Sequence, residues 1–416
     1  MLSEADNELL TRIGRDTPMG DMMRRYWMPI CLAEEVAEPD GDPVTSTVLG
    51  ERLVVFRDSF GGVGVLREGC PHRRASLAIG RNEEGGLRCI YHGWKFDRTG
   101  ACIDMPSEPP GSTFLSKLRN QGYPTREAGG IIWSYLGPAD KEPVFPQYDW
   151  ITAPAETRAL VKVGQRANYL QALEGSIDSS HSWFLHRGTV MDWEKRTSVS
   201  TDTSPRMEVE DTDYGFRYAA VRTPNSNPDT KKYVRVTLWA FPFISMIPRP
   251  EERQQPYLAA LFVPVDDERT MMYSVFVGQD GSPLSTHAIR EENVAVPGID
   301  LDSEWFRLGQ PMNRYLQDRA AMRAGNWTGI RGFIHQDAAC SESMGAIADR
   351  TDEHLGQSDR AITRVRRRLL ESVRRTMQGD DPIGVTSAIP FGSLRSGQFV
   401  IQKDESWQHV LEGSLA

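Results

Sequence analysis

The chain has 416 residues, 39% of them hydrophobic, 25% charged and 9% aromatic, with 48 Lys+Arg against 57 Asp+Glu and a formal net charge of −9. At ~100–200 residues per domain this is enough for two or three domains, too rich in apolar side chains to be disordered and without the basic field of a nucleic-acid binder. The longest apolar stretches, Trp239 to Ile247 and Tyr257 to Val265, contain prolines and fall short of the ~20 residues of a membrane-spanning helix. Glu4, Asp6 and Glu8 precede any apolar run, so no secretory signal is expected, and five cysteines are too few for a disulfide scaffold. Neither nucleic acid nor membrane is an expected partner, and the expected compartment is the cytoplasm.

In chain order, a short helix is predicted around Asn7 to Ile13, followed by turn-rich sequence through Pro39-Asp40-Gly41-Asp42-Pro43. Glu51 to Arg57 and Val63 to Arg67 read as a hairpin around Asp58-Ser59-Phe60-Gly61-Gly62. Asp104 to Gly122, rich in Pro, Gly and Ser, is expected to be a covering loop, and Gly130 to Leu136 another strand. These elements form a mostly β core at about 40–138 within a first domain of 1–150, to which the first forty residues add a helical extension. The second domain, 151–416, opens with a strand near Leu160 to Val163 and a helix-like segment from Asn168 to His181. Strands follow at Met207 to Val209, Phe216 to Arg222, Lys232 to Ala240, Tyr257 to Val265 and Met271 to Val277. Helices are predicted at Asn313 to Arg323 and Asp359 to Met377. In the latter Ile362, Val365, Leu369, Leu370 and Val373 make an apolar stripe, with the arginines on the other faces. The expected fold class is α+β: an all-β N-terminal domain and a larger domain with an antiparallel sheet flanked by helices.

The strongest local signal is Cys70-Pro71-His72 followed, after sixteen residues, by Cys89-Ile90-Tyr91-His92-Gly93-Trp94. Two thiolates and two imidazoles at short spacing suit either tetrahedral zinc or a [2Fe–2S] cluster with one iron on sulfur and the other on nitrogen. Cys102 lies outside this pattern and reads as a small buried hydrophobe. A second constellation is Asp178, His181 and His186. Asp178 and His181, three apart, share a face on a helix, whereas His181 and His186 diverge by ~140° on one. Their convergence on one metal requires the helix to end, or bulge, between them. Two histidines and a carboxylate make the facial triad of non-haem Fe(II) oxygenases.

The Cys-Pro-His and Cys-x-Tyr-His-Gly-Trp pair resembles the Rieske motif. With Asp178-x-x-His181-x4-His186 and the stretch from Gln336-Asp337 to Glu353-His354-Leu355-Gly356, the whole chain resembles the large, catalytic subunit of a Rieske non-haem iron aromatic-ring-hydroxylating oxygenase, in its phthalate 4,5-dioxygenase-like branch. The resemblance implies a Rieske [2Fe–2S] domain and a helix-grip catalytic domain of the Bet v 1-like or START-like kind. It implies one cluster, with Cys70 and Cys89 on one iron and His72 and His92 on the other, and one mononuclear Fe(II) per subunit on His181, His186 and Asp337. Glu342 is the second carboxylate candidate, and Asp337 has the competing role of capping the following helix. His335 is either a supporting residue or a surface one. The resemblance further implies O2 as co-substrate and NAD(P)H as electron source through a separate reductase carrying flavin and an iron–sulfur cluster. It implies a homotrimer or a stacked pair of trimers. In that assembly Asp178 bridges His181 and a cluster histidine, His92, of the neighbouring subunit.

An aromatic acid needs a cationic clamp, which an arginine fork supplies. Arg206 and Arg235 lead the candidates, with Arg187, Arg217 and Arg222 behind them. Trp239, Phe241, Phe243 and Phe262 either line a ring pocket or fill the core, and Ser179 and Ser180 have no base arrangement that suggests hydrolysis. The favoured reaction is cis-dihydroxylation of a phthalate- or benzoate-like ring. O-demethylation of a methoxylated aromatic acid is the alternative, and a Rieske electron carrier or redox sensor, or a structural zinc protein, belongs to other classes.

Overall fold

A computed structural model describes residues 1–109, 112–187, 198–248, 257–278, 281–385 and 388–413. The chain divides into two compact units, one of Gly14–Asp16 and Gly20–Phe145, the other of Met1–Ile13, Thr17–Met19 and Pro146–Ala416.

The smaller unit is built from three small antiparallel sheets. Glu51–Arg57 is the centre of one, between Val44–Val48 and Val63–Arg67. Its turn is fixed locally: Asp58 Oδ1 accepts from the backbone N–H of Phe60 at 2.9 Å and of Gly62 at 2.8 Å, the Asx geometry that short polar side chains offer. Ile131–Tyr135 joins Trp27–Leu32 to Thr125–Ala128 in a second sheet. The third is a four-stranded meander of short strands, Arg81–Glu83, Gly86–Arg88, Lys95–Phe96 and Cys102–Asp104. One core cluster holds Val54, Phe56, Leu66, Leu77, Leu87, Trp94 and Phe96 together with Cys70, Cys89 and Cys102. The cysteines of the motif are thus part of the apolar interior, and Cys102 packs there as expected.

The larger unit carries an eight-stranded antiparallel sheet. Its path runs Arg158–Gln165, Thr270–Val277, Tyr257–Pro264, Ile244–Pro248, Lys231–Ala240, Gly215–Arg222, Arg206–Thr212. Gly397–Gln402 pairs with Lys231–Val236, and Ile244–Met246 with Leu238–Ala240, so one long strand is shared by two short ones. Both short strands escaped the sequence reading. Ile244–Pro248 lies inside the apolar run from Trp239, where a turn at 241–243 separates two strands.

The Arg360–Met377 helix buries Ala361, Val365, Leu369, Leu370 and Val373 against the strands Arg206–Thr212 and Gly215–Arg222. One arginine departs from expectation: Arg366 is buried, its charge taken up by Glu174 and Glu353. The predicted helix from Asn313 to Arg323 is two pieces. Arg314 and Tyr315 are left-handed, at φ 53° and 56°, and Asp318 restarts the chain as N-cap, Oδ1 accepting from Ala320 N–H at 2.8 Å and Ala321 N–H at 2.9 Å.

The first helix, Glu4–Thr11, belongs to the larger unit, which differs from the expected first domain of 1–150. Asn168 Nδ2 donates to Thr11 O at 3.0 Å, Tyr169 Oη to Leu10 O at 2.9 Å, and Asp6 pairs with Arg374 at 2.5 Å. Among the described residues no helix is long and apolar enough to cross a membrane.

Candidate metal centres

In the smaller unit two tight turns present the Cys/His motif. Arg74 N–H donates to Cys70 O at 2.8 Å, and Gly93 N–H to Cys89 O at 2.9 Å. Gly93 has φ +79°, and a Cβ there would stand 2.6 Å from Pro106 Cγ, so the second turn needs glycine. Cys70 and Cys89 are buried, whereas His72 is exposed and His92 half-buried, their rings 4.4 Å apart. Trp94 stacks on His72 at 4.3 Å and donates from Nε1 to Ser107 Oγ at 2.9 Å, which ties the loop after Asp104 over the motif. Burial pushes the Cys70 thiol up to about 12, and neighbouring Cys89 and Cys102 add to it. A thiolate in that position needs a cation. The donor set fits a cluster with a buried sulfur side and an outer imidazole side, and His92 Nδ1 has no hydrogen-bond partner among the described residues. Its imidazole is also held below the usual histidine range by burial and by His72, in the neutral form that binds metal.

In the larger unit the helix Tyr169–Ser176, capped by Asn168, ends before the ligands, and a 3₁₀ turn begins at His181. The helix expected to reach His181 therefore stops at Ser176, and both histidines stand on the non-α-helical backbone after it, not on a helix broken between them. Asp178 lies beyond the helix, so it meets His181 through a turn and not along a helix face: Asp178 Oδ1 accepts from Ser180 N–H at 2.7 Å, and Oδ2 is 3.6 Å from His181 Nδ1. Burial opposes ionisation of Asp178, but His181 and the backbone N–H groups prevail and hold it below the usual range. His181 Nε2 and His186 Nε2 are 3.2 Å apart, and Asp337 Oδ1 is 3.5 Å from the first and 3.1 Å from the second. Two ligands at right angles on bonds of about 2.1 Å would be about 3.0 Å apart, so the three atoms have the spacing of one face of an octahedron. His181, His186 and Asp337 could hold a single divalent ion. Asp337 lies in the second turn of the helix Phe333–Ser343, whose N-cap is Gly332, so the capping role falls away.

Comparison with known proteins decides what this pair of sites belongs to. The Rieske [2Fe-2S] domain family matches residues 26–120, and the LigXa C-terminal domain like family matches residues 134–414. The phthalate 4,5-dioxygenase oxygenase subunit of Pseudomonas putida is 44% identical over 98% of this chain and 94% of its own. The chain belongs to the Rieske non-haem iron oxygenases. The 3-chlorobenzoate-3,4-dioxygenase oxygenase subunit of Comamonas testosteroni is 37% identical over 98% of this chain and 97% of its own. The 5,5'-dehydrodivanillate O-demethylase oxygenase subunit of Sphingobium sp. is 33% identical over 92% and 83%. Among solved structures, Pseudomonas putida CBB5 NdmA with caffeine aligns with a TM-score of 0.64 at 19% identity, covering 94% of this chain and 100% of that one. The chain is an enzyme, the oxygenase subunit of an aromatic-ring Rieske oxygenase, which sets aside the electron-carrier and structural-zinc readings.

Within this Rieske oxygenase the candidate arginines separate by strand parity. Arg222 and Arg235 lie on one face of the sheet, because Arg235 is paired with Ala220, two residues from Arg222. That face meets the ligand segment: Arg222 Nη2 donates to Ser179 O at 2.9 Å, and Tyr218 Oη to Ile177 O at 2.7 Å. Arg206 is paired with Val221, hence on the opposite face, exposed and bound to Glu208. It leaves the clamp for that reason. Arg217 pairs with Glu210 and Glu412, and Arg187 is exposed with its guanidinium over Trp327. Glu342 is buried in an ion pair with Arg307 and accepts from Arg166 N–H at 2.7 Å, which leaves Asp337 as the carboxylate at the histidines. His335 is buried and not on the surface, its pKa lowered to about 4 by burial and then by Arg307. Trp239, Phe241, Phe243 and Phe262 are all core residues, at 5% exposure or less. Sequence reading passed over Gln336, which contacts His186, and the burial of Glu174. An uncharged glutamine carries no signal without its partners.

Proposed function

We propose that this oxygenase hydroxylates an aromatic carboxylate, with cis-dihydroxylation of a phthalate- or benzoate-like ring as the reaction. The observation that carries the substrate class is Arg235. It is 4% exposed; its Nη2 donates to Pro248 O at 3.1 Å, while Nε and Nη1 have no partner among the described residues. Arg222, on the same face, is buried too, and among the described residues no carboxylate forms an ion pair with either. Burial, and then the charge of Arg235, lower the Arg222 guanidinium to about 10. Two buried cations hydrogen-bonded only to neutral oxygens among the described residues, Ser179 for Arg222 and Pro248 O for Arg235, are costly unless an anion joins them. A substrate carboxylate would satisfy the free donors, and a dicarboxylate could meet both residues. The names of the relatives at 44% and 37% identity point to the same chemistry.

In this reading Cys70, His72, Cys89 and His92 hold the [2Fe–2S] cluster, and His181, His186 and Asp337 hold Fe(II). The iron, when bound, supplies O2 activation, and the cluster supplies electrons drawn from NAD(P)H through a separate flavin and iron–sulfur reductase. Arg235 and Arg222 hold the ring acid, Ser179 fixes Arg222, and Asp178 keeps the His181 Nδ1 proton directed toward itself. Asp178 also bridges to His92 of a neighbouring subunit in a homotrimer or a stacked pair of trimers. The Asp178 carboxylate has lone pairs to spare, and with the buried Nδ1 left for the cluster, Nε2 of the half-buried His92 ring is the donor such a contact would use.

The test offers aromatic acids with ¹⁸O2 and a reductase. Both labelled atoms in a dihydrodiol are expected. Formaldehyde from a methoxylated acid, with no dihydrodiol from any ring acid, would instead establish O-demethylation, the reading the relative at 33% identity favours.

A further inference from the structure

Gln336 precedes Asp337 on the Phe333–Ser343 helix and its side chain is fully buried, at 0% exposure. Its Nε2 donates to Ile330 O at 2.9 Å and to Thr328 Oγ1 at 2.9 Å, and its Oε1 lies 2.9 Å from His186 Nδ1. A backbone carbonyl can only accept. The NH2 end of the amide must therefore face Ile330, and the oxygen end, itself only an acceptor, must face His186. The imidazole hydrogen is then on Nδ1. His186 Nε2, the atom 3.1 Å from Asp337 Oδ1, keeps its lone pair for a metal.

We infer that Gln336 is a positioning residue for the mononuclear metal, setting the tautomer and ring plane of His186; this rests on the reading of His181, His186 and Asp337 as a metal site. The two histidines are held in different ways. His181 has the Asp178 carboxylate at Nδ1, whereas His186 has a neutral amide clamped from behind by the Thr328–Ile330 segment. A neutral acceptor orients the ring without adding charge to a centre that already has two carboxylates. Gln336 and Asp337 are also consecutive, so the shift of the helix that would misplace one would misplace the other. The helix thus delivers one ligand directly and aligns a second through its neighbour, the supporting contact that metal-bound histidines use.

The experiment compares Gln336→Met with Gln336→Glu. Both lose the donors to Thr328 and Ile330, but only Met loses the acceptor for His186. Enzyme with its cluster retained and the mononuclear site emptied is titrated with Co(II), following d–d absorption, with thermal unfolding and the cluster spectrum as folding controls. Wild type is expected to bind one Co(II) that His186→Ala abolishes; failure there removes the metal-site reading itself. Given that binding, Gln336→Met is expected to weaken Co(II) about 10- to 100-fold with an altered d–d spectrum, and Gln336→Glu to stay near wild type. Equal affinity of wild type and Gln336→Met, or equal losses in Met and Glu, would overturn the inference. Should Gln336→Met not fold, ¹⁵N shifts of His186 in wild-type enzyme lacking the mononuclear metal decide: a hydrogen on Nδ1 is expected, and a hydrogen on Nε2 refutes it.

Discussion

Arg235 brings a positive charge into a place where two of its three nitrogens have no partner among the described residues. Such a residue is a burden on the folded enzyme and an asset to a complex with an anion, and the two effects can be read separately. Arg235→Met removes one charge-assisted bond, about 1.5–3 kcal/mol, so KM for an aromatic acid substrate should rise about ten- to a hundredfold. A matched neutral amide should be nearly unaffected. Because the variant also relieves an unpaired buried charge, its melting temperature should hold or increase. Equal small changes in KM for acid and amide would take Arg235 out of the substrate site. A lower melting temperature with unchanged KM would make it a structural residue. Arg222 gives a less selective result, since its bonds to Ser179 support the segment that carries His181.

At the scale of elements, the helix that leads into the ligand segment is anchored by Glu174. This buried carboxylate takes Arg366 Nε at 2.6 Å and Arg350 Nη2 at 3.1 Å, and so ties Tyr169–Ser176 to Arg360–Met377. Burial opposes its ionisation, but the two guanidinium groups outweigh burial and hold the carboxyl below its ordinary 4.5. Glu174→Gln keeps the shape but leaves Arg350 buried without a carboxylate, which should cost about 3–5 kcal/mol in unfolding of the larger unit. The sign of the pH dependence follows from the depressed pKa. The ionised carboxylate contributes fully above its unfolded value near 4.5 and loses that contribution as pH falls through its lower folded value. The stability gap between wild type and variant, measured by urea unfolding, should be constant from pH 7 to about 5 and narrow below. A gap unchanged at pH 3 would exclude Glu174 as its source. None of this network was legible from sequence, where Glu174 gave no sign of its burial and Arg366 fell with the arginines off the apolar stripe. By contrast, the Glu51–Arg57 and Val63–Arg67 strands were placed residue for residue, because short valine-containing apolar runs and an Asx-glycine turn between them are local signals. The Cys/His motif was equally legible through spacing alone, whereas the helix end was misplaced, since the helix stops at Ser176 and not between His181 and His186. The choice between Arg206 and Arg235 was not. It depends on the register between strands, which no single strand encodes and where one residue changes the face.

On the scale of the whole molecule, the two candidate centres lie in different units of one chain, and Asp178 is the residue proposed to join them between subunits. Asp178→Asn keeps nearly the same volume and a hydrogen bond but loses the charge. Neither centre loses a ligand, so the variant should assemble, fill both sites and bind substrate. Electron passage from reduced cluster to iron in single-turnover experiments should nevertheless slow strongly, because the junction loses the group that aligns both imidazoles. Mixing subunits separates this route from one within a single chain. Subunits carrying Cys70→Ser have a sound triad and no complete cluster; subunits carrying His181→Ala have the reverse. Each is inactive alone under either route. In mixed assemblies a sound cluster can stand beside a neighbour's sound triad, and partial activity should return only if electrons cross between subunits. No recovery in assemblies shown by mass to be mixed would confine electron transfer to one chain, and rapid single-turnover reduction in Asp178→Asn would leave Asp178 with the local task of orienting His181.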